Sequence, residues 1–352
     1  MKNKKTKIII LSILCALILI AAVCISVFLL QFAPVDKNEK ETVRFEIPYG
    51  SNAHEVINSL YEKGLIRNKK FFYYLILRPQ YLKYVYPKIE FPKKLDFKSG
   101  VYNVNKSMSY SDFILKFANG DSEYVVITVA EGLTIKKIGT LLEEKGICKK
   151  DDFVAACHDP ELLNIYDIPA DSFEGYLFPY TYNLDAIMNA KLIVQIMADN
   201  FFNKIKEISE LEGKKGKELN DIVILASIVE REYKVDEEAP IIASVFTNRI
   251  KHKIGLYSCA TIEYIITEIL DKPHPTRLFD KDLKIDNPYN TYMYQGLTPG
   301  PICNPGAVAL AASAKPAKTE FYYFQVVDPS SGKHVFTKTF GEHITNHTLI
   351  TK

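Results

Sequence analysis

Tryptophan is absent from the 352 residues. The side chain most used for stacking on sugar faces is therefore missing, although 22 tyrosines offer a substitute. An excess of one charge sign is lacking too, since 44 Lys+Arg stand against 42 Asp+Glu. Four of those bases, Lys2, Lys4, Lys5 and Lys7, open the chain, so the remainder is slightly acidic. That balance excludes a basic nucleic-acid binder, because a phosphate backbone is held by clustered Lys and Arg. The six cysteines make no C-x-x-C pair, which disfavours a zinc ribbon or a thioredoxin-like centre. A Cys148–Cys157 disulfide fits an extracytoplasmic compartment; the plainer expectation for Cys148, Cys157, Cys259 and Cys303 is free buried thiols. G-x-x-x-x-G-K-[ST], G-x-G-x-x-G and G-x-S-x-G are all missing, and with them the signatures of nucleotide, dinucleotide and α/β-hydrolase chemistry. His343 and His347 stand four apart without the glutamate of H-E-x-x-H, so they read as surface helix residues, and His274 between two prolines reads as loop. No metal and no cofactor is called for.

What is present begins with one apolar run, Ile8 to Leu30, broken only by Ser12 and Ser26. Its 23 residues would span roughly 35 Å as a helix, enough for a bilayer core of about 30 Å. The exit, Leu29-Leu30-Gln31-Phe32-Ala33-Pro34, lacks a small-x-small cleavage site. The expectation is a single-pass, uncleaved anchor over 8–32, with a cleaved signal as the alternative. Residues 1–7 form a basic tail held in the cytoplasm by the positive-inside tendency, and the bulk lies on the outer side of the inner membrane. A linker, 33–42, follows. The overall 47% hydrophobic and 24% charged residues are globular values, and the length predicts two or three domains.

Two stretches offset by 82 residues resemble each other: Gly50/Gly132, Leu60/Leu142, Glu62/Glu144, Lys63/Lys145, Gly64/Gly146 and Phe71/Phe153 coincide. Each reads as strand, Gly turn, polar cap (Asn52 with Glu55; Thr134), helix, and a Gly stop after Lys. Between them, 98–104 reads as turn and strand, and Ser109 caps a short helix closed by Asn119-Gly120. Short strands and helices mix without regular β–α alternation, which predicts an α+β fold. A small module over 43–122 and a larger domain over 123–352 are expected.

From about residue 160 the texture changes. Asn220 or Asp221 caps a helix running through Ile222–Glu232, apolar on nearly every face until it emerges into Glu230-Arg231-Glu232. A carboxyl at the end of a buried helix is a candidate acid, because desolvation lets it keep a proton near neutral pH. An exposed Glu230–Lys234 i,i+4 pair is the plainer reading. Glu232, Glu237 and Glu238 compete for the role. The stretch Asn287–Gly306 reads as a fixed loop of prolines, glycines, amides and tyrosines suited to a sugar, or else as a surface connection.

Together, Glu131-Gly132, Phe173–Pro179, Ala226–Glu232, Ala243–Arg249, Tyr289–Tyr292 and Gly296–Gly306 resemble, in order, the motifs of the endolytic murein transglycosylase family. The resemblance covers about residues 43–345. It implies a LysM-like module and a catalytic domain that cleaves nascent peptidoglycan strands. The family's catalytic glutamate, first in its A-S-I-V-E motif, falls on Glu230. Substrate contacts are expected at Glu174, Asn248, Arg249, Tyr289, Asn290, Thr291, Tyr292, Gln295 and Asn304. Where many members carry L-Q-x-D-P-T, this chain has Leu256-Tyr257-Ser258-Cys259-Ala260-Thr261, so Tyr257 and Cys259 replace the Gln and the Asp.

The implied reaction needs only one acid. Glu230 would protonate the β-1,4 oxygen between MurNAc and GlcNAc and then take the proton of the muramoyl C6 hydroxyl, leaving a 1,6-anhydro end. Intramolecular attack supplies an effective molarity of about 10⁵ M or more, so no activated water is required. The partners implied are glycan strands, the membrane and peptidoglycan synthases. The competing reading is a non-catalytic, membrane-anchored peptidoglycan-binding scaffold, and a third is a water-using glycosidase.

Overall fold

The computed structural model describes residues 2–350 apart from Tyr49, 92–94, 186–187 and 329. The chain divides into two compact units, one running up to Tyr124 with Asp185, the other comprising Val125–Leu184 and the residues from Met188 onward.

The first unit opens with α1 (Lys2–Leu30), in which Ile10–Phe28 is long and apolar enough to cross a membrane and is wholly unburied. Then follow β1 (Val43–Ile47), α2 (Ala53–Glu62), α3 (Lys69–Leu77), α4 (Leu82–Val85), β2 (Gly100–Val104) and α5 (Tyr110–Asn119). β1 and β2 pair antiparallel, Phe45 opposite Tyr102. Their inward residues meet Leu60, Phe72, Phe113 and Phe117 in a core of its own, with Phe45 stacked on Phe117. Local chemistry starts these helices. Asn52 with Glu55, and Ser109 with Asp112, form complete capping boxes.

The second unit contains β3 (Tyr124–Val129), α6 (Ile135–Glu144), α7 (Lys150–Ala156), α8 (Pro160–Ile165), β4 (Tyr180–Asp185), α9 (Ala190–Lys204), α10 (Gly216–Val229), α11 (Ala239–Lys251), α12 (Cys259–Tyr264), α13 (Ala307–Ala314), β5 (Tyr323–Asp328), β6 (Lys333–Thr337) and α14 (Phe340–Ile350). β3 pairs with β4, and β5 with β6 antiparallel. The architecture is mixed α+β, as expected.

The repeat is real in three dimensions. β1–α2 and β3–α6 share a Gly turn, a side-chain cap and the same stop. At both stops the glycine has positive φ, +64° at Gly64 and +70° at Gly146, and the next amide returns to the helix, Leu65 to Leu60 O and Ile147 to Leu142 O.

The buried helix differs from expectation at both ends. α10 begins at Gly216, so Asn220 and Asp221 lie inside it. The Asn220 side chain accepts the Tyr176 hydroxyl at 2.9 Å, and Asp221 pairs with Lys217 one turn back. At its C-terminus regular helix stops at Val229, and tight turns carry Glu230–Tyr233 away. A Glu230–Lys234 pair on one helix face therefore does not form. α10 packs against α11 and α13, and Val223–Val229 are buried throughout. The described cysteines are all free thiols: Cys157 and Cys303 are buried, Cys148 half-buried, and Cys259 exposed.

Candidate active site

Three carboxyls in the second unit hold their protons well above the usual range. Burial is the first cause in each case. It lifts Glu230 and Glu232 to about 7 and Glu174 to about 8. Their surroundings separate their roles.

Glu174 is sealed, 6% exposed. The Ile135 amide at the start of α6 donates to both of its oxygens (3.2 and 3.1 Å), and Asn304 Nδ2 donates to one of them at 3.1 Å. It ties the α6 terminus to the Pro/Gly loop and presents nothing to solvent.

Glu230 is half-buried where α10 ends. One carboxylate oxygen accepts the Gly306 amide at 2.9 Å, and the Tyr233 hydroxyl approaches both oxygens at 3.5 Å. Those two donors lower its pKa, whereas burial first, and then the charges of Glu131 and Asp236, raise it. Gly306 is the N-cap of α13, so the carboxyl lies against a helix start. Exposed Glu131 comes to the same spot. A methyl group at Gly306 would fall 2.7 Å from Glu131 Cγ and 3.6 Å from a Glu230 oxygen. Two carboxyls thus flank one glycine, one desolvated and protonatable, the other solvated.

The Gly306 amide reaches Glu230 because the preceding loop is stapled to α10. Ser227 Oγ, buried, accepts the Ile302 amide at 2.9 Å, and Cys303 Sγ donates to Ser227 O at 3.2 Å. Asn304, also fully buried, accepts the Leu177 amide and donates to Leu133 O and Glu174. Gly175, at φ +88°, allows this close approach. A Cβ there would sit 2.6 Å from Pro301 and 2.7 Å from Val223.

Glu232 faces elsewhere, into a cavity of about 530 Å³ lined also by Arg249, Tyr257, Ser258, Cys259 and Tyr323. Ser258 Oγ donates to it at 2.5 Å. Arg249, 7% exposed, donates to Tyr322 O and Leu256 O, with its guanidinium over the rings of Tyr257 (5.7 Å) and Tyr323 (5.4 Å). Tyr257 and Cys259, the two positions where this chain departs from L-Q-x-D-P-T, both line this cavity.

The expected substrate contacts divide. Tyr292, half-buried, sets its hydroxyl 3.1 Å from Cys259 Sγ and its ring beside Tyr257, and Gln295 is exposed. Tyr289 packs its ring on Tyr264 and its hydroxyl close over Gly300. Four others are buried and hydrogen-bonded inside the fold. Asn290 is fully buried, donating to Leu283 O and Ile285 O and accepting the Tyr292 amide. Thr291 accepts the Ser258 amide, and Asn304 and Glu174 are committed as described. These four make their hydrogen bonds within the loop and the elements around it. Asn248 likewise gives its amide to Thr319 O and Phe321 O. Irregular backbone has no ladder to satisfy it, so buried amides and hydroxyls supply the partners. Residues that sequence reasoning left out are Glu131, Tyr233, Ser227 and the Gly306 amide. Glu131, Ser227 and Gly306 lie inside the quoted motifs, whereas Tyr233 carried no such signal.

The chain thus combines an α+β fold, one long N-terminal apolar helix and a half-buried, raised-pKa carboxyl at the end of α10. The profile of the YceG-like family matches residues 45–348, and the chain belongs to that family. It is 33% identical over 327 residues to a protein named endolytic murein transglycosylase from Bacillus subtilis (strain 168), a match covering 88% of this chain and 85% of that one. A Streptococcus pneumoniae serotype 2 (strain D39) protein of the same name is 28% identical over 339 residues, covering 89% of this chain and 59% of the longer relative. A crystal structure of a yceG-like protein from Listeria monocytogenes superposes with a TM-score of 0.56 at 28% identity, over 87% of this chain and 99% of that one.

Proposed function

We propose that the protein is an endolytic murein transglycosylase, with Glu230 as its one catalytic acid. The observation that carries the reading is a carboxyl with a pKa of about 7, held through one oxygen by the Gly306 amide and half open to solvent. At neutral pH a substantial fraction is protonated and able to give its proton to the β-1,4 oxygen between MurNAc and GlcNAc. The C1–O bond breaks, the GlcNAc side leaves as an alcohol, and positive charge develops at the muramoyl anomeric carbon. The C6 hydroxyl of that same sugar attacks, closing the 1,6-anhydro ring, and returns its proton to Glu230. Atoms balance without water, and the acid is regenerated in one turnover. Internal cuts of this kind would limit strand elongation.

Arg249, Tyr289, Tyr292 and Gln295 are the proposed ligand-facing groups, with Glu174, Asn248, Asn290, Thr291 and Asn304 as positioning residues. We read the first unit, with its antiparallel β1–β2 pair, α2, α3 and α4 between those strands and α5 after them, as a LysM-like wall-binding module over 43–122, ahead of a catalytic domain over 123–352. α1 serves as a single-pass anchor with its lysine-rich end in the cytoplasm and the rest on the outer face of the inner membrane, beside the synthases that extrude new strands.

The test is to incubate the protein with un-crosslinked glycan and read chain ends by mass spectrometry. Anhydro-muramoyl ends that vanish in Glu230→Gln are expected, with a loss of about 10²–10⁴ in rate. Reducing ends would make the enzyme a hydrolase. No new ends at all would leave a wall-binding scaffold.

A further inference from the structure

The first unit carries a surface that glycan cleavage does not use. From Arg67 to Lys88 the chain holds six bases, Arg67, Lys69, Lys70, Arg78, Lys83 and Lys88, and no Asp or Glu. α3 buries Phe72 and Leu75 but turns Tyr74 and Leu77 outward, 50% and 58% exposed. The turn after it and α4 add Tyr81 and Tyr84, the latter 82% exposed. These rings form a file, with Tyr74 and Tyr81 stacked at 5.9 Å and Tyr81 and Tyr84 at 6.5 Å. Aromatic and aliphatic side chains in one basic patch are an unusual face to show to water.

Both ends of this segment are tied to the C-terminal end of α1. Phe71 meets Phe28 at 5.8 Å and Phe32 at 4.6 Å, and the Tyr86 ring lies 6.4 Å from Phe32. Asn68 donates to the Gln31 side chain, and Arg67 donates to the carbonyls of Pro34 and Val35. Phe28 is also the last residue of the apolar span. A face tied to residues 28–35 therefore lies at the depth where a spanning helix leaves hydrocarbon.

We propose that the Tyr74–Leu77–Tyr81–Tyr84 face lies in the lipid headgroup layer of the membrane that α1 spans, holding the first unit against an anionic leaflet. The proposal rests on α1 being inserted. Its chemistry is complementary at both levels. Tyrosine belongs at the boundary, with ring in the acyl margin and hydroxyl in water, and the flanking Lys and Arg meet phosphate. The nine residues of α3 extend roughly 14 Å, short enough for the file to stay near the exit of α1. Contact there would fix the height of the module above the bilayer.

Because the chain has no tryptophan, single replacements report directly. Full-length Tyr84→Trp and Leu77→Trp proteins are placed in phosphatidylcholine vesicles containing phosphatidylglycerol, and carbonate washing first establishes that the chain is inserted. On wash-resistant protein, blue-shifted emission, shielding from acrylamide and quenching by acyl-chain bromines are expected. Adding Lys70→Glu and Lys83→Glu to Tyr84→Trp should weaken that quenching. Indoles that stay acrylamide-accessible and unquenched on inserted protein overturn the proposal, whereas protein removed by the wash overturns the anchor reading beneath it. Shielding found in native membranes but not in protein-free vesicles also overturns it, in favour of a protein partner.

Discussion

At the scale of single residues, one cause, burial, produces three protonatable carboxyls, and their neighbours decide what each can do. Glu174 has its oxygens filled by internal donors, Glu232 opens on a guanidinium-lined cavity, and Glu230 takes one backbone amide and a tyrosine hydroxyl at 3.5 Å while half-buried. The pH behaviour of Glu230 follows from its pKa being raised to about 7 from 4.5. The folded protein holds a proton that the unfolded chain has already lost between those values. Stability relative to the unfolded state is therefore full below about 4.5 and falls as pH rises through about 7. Glu230→Gln should in consequence be more stable than the parent at pH 8, by about 1–3 kcal/mol, and no more stable at pH 4, as read by denaturant titration. Cleavage by the parent should fall along a single limb above about pH 7, where the acid form disappears. The thiols offer a second check. Cys259 is exposed, while burial seals Cys157 and Cys303 and pushes their pKa values up. In the folded second unit, iodoacetamide should label Cys259 and spare Cys157 and Cys303, with peptide mass spectrometry as the readout.

At the scale of elements, the geometry around Glu230 depends on how the Pro/Gly loop is fastened to the end of α10. Ser227→Ala would leave the buried Ile302 amide without its acceptor and cost about 1–3 kcal/mol. Because the same loop aims the Gly306 amide at Glu230, activity should fall by up to about 100-fold, more than the loss of folded protein explains. Asn304→Ala should chiefly lower the thermal midpoint, and calorimetry alongside the end-group assay distinguishes that from loss of a substrate contact. The repeated strand–turn–cap–helix units were legible because caps and glycine stops act over three or four residues. The start of α10 was not legible, since Asn220 and Asp221 look like caps by type. In the fold, Asn220 is claimed by Tyr176, 44 residues away in sequence. Asn304 is likewise claimed from afar, by Leu177, Leu133 and Glu174, whereas Asn290 is satisfied by Leu283 O and Ile285 O a few residues back.

At the scale of the whole molecule, the long apolar helix and the candidate acid lie in different units. Glu131, Tyr233, Glu230 and Gly306 all belong to the second, and α1 to the first. A chain beginning at Asp36 should therefore be recovered in the soluble fraction and still release anhydro ends from added glycan, checked by sedimentation and the same assay. The full chain should pellet with membranes and resist carbonate. Sequence by itself determined the apolar span, the capped repeat and the α+β class, and it singled out Glu230 among several candidate carboxyls, because hydropathy, capping and motif order are properties of residues near one another along the chain. Tertiary structure alone decided that Glu230 is half-buried against the Gly306 amide, that Asn304 is spent on distant backbone, and that Glu131 stands beside Glu230. Those depend on desolvation and on partners 70 to 170 residues distant, as with Gly306 for Glu230 and Leu133 for Asn304.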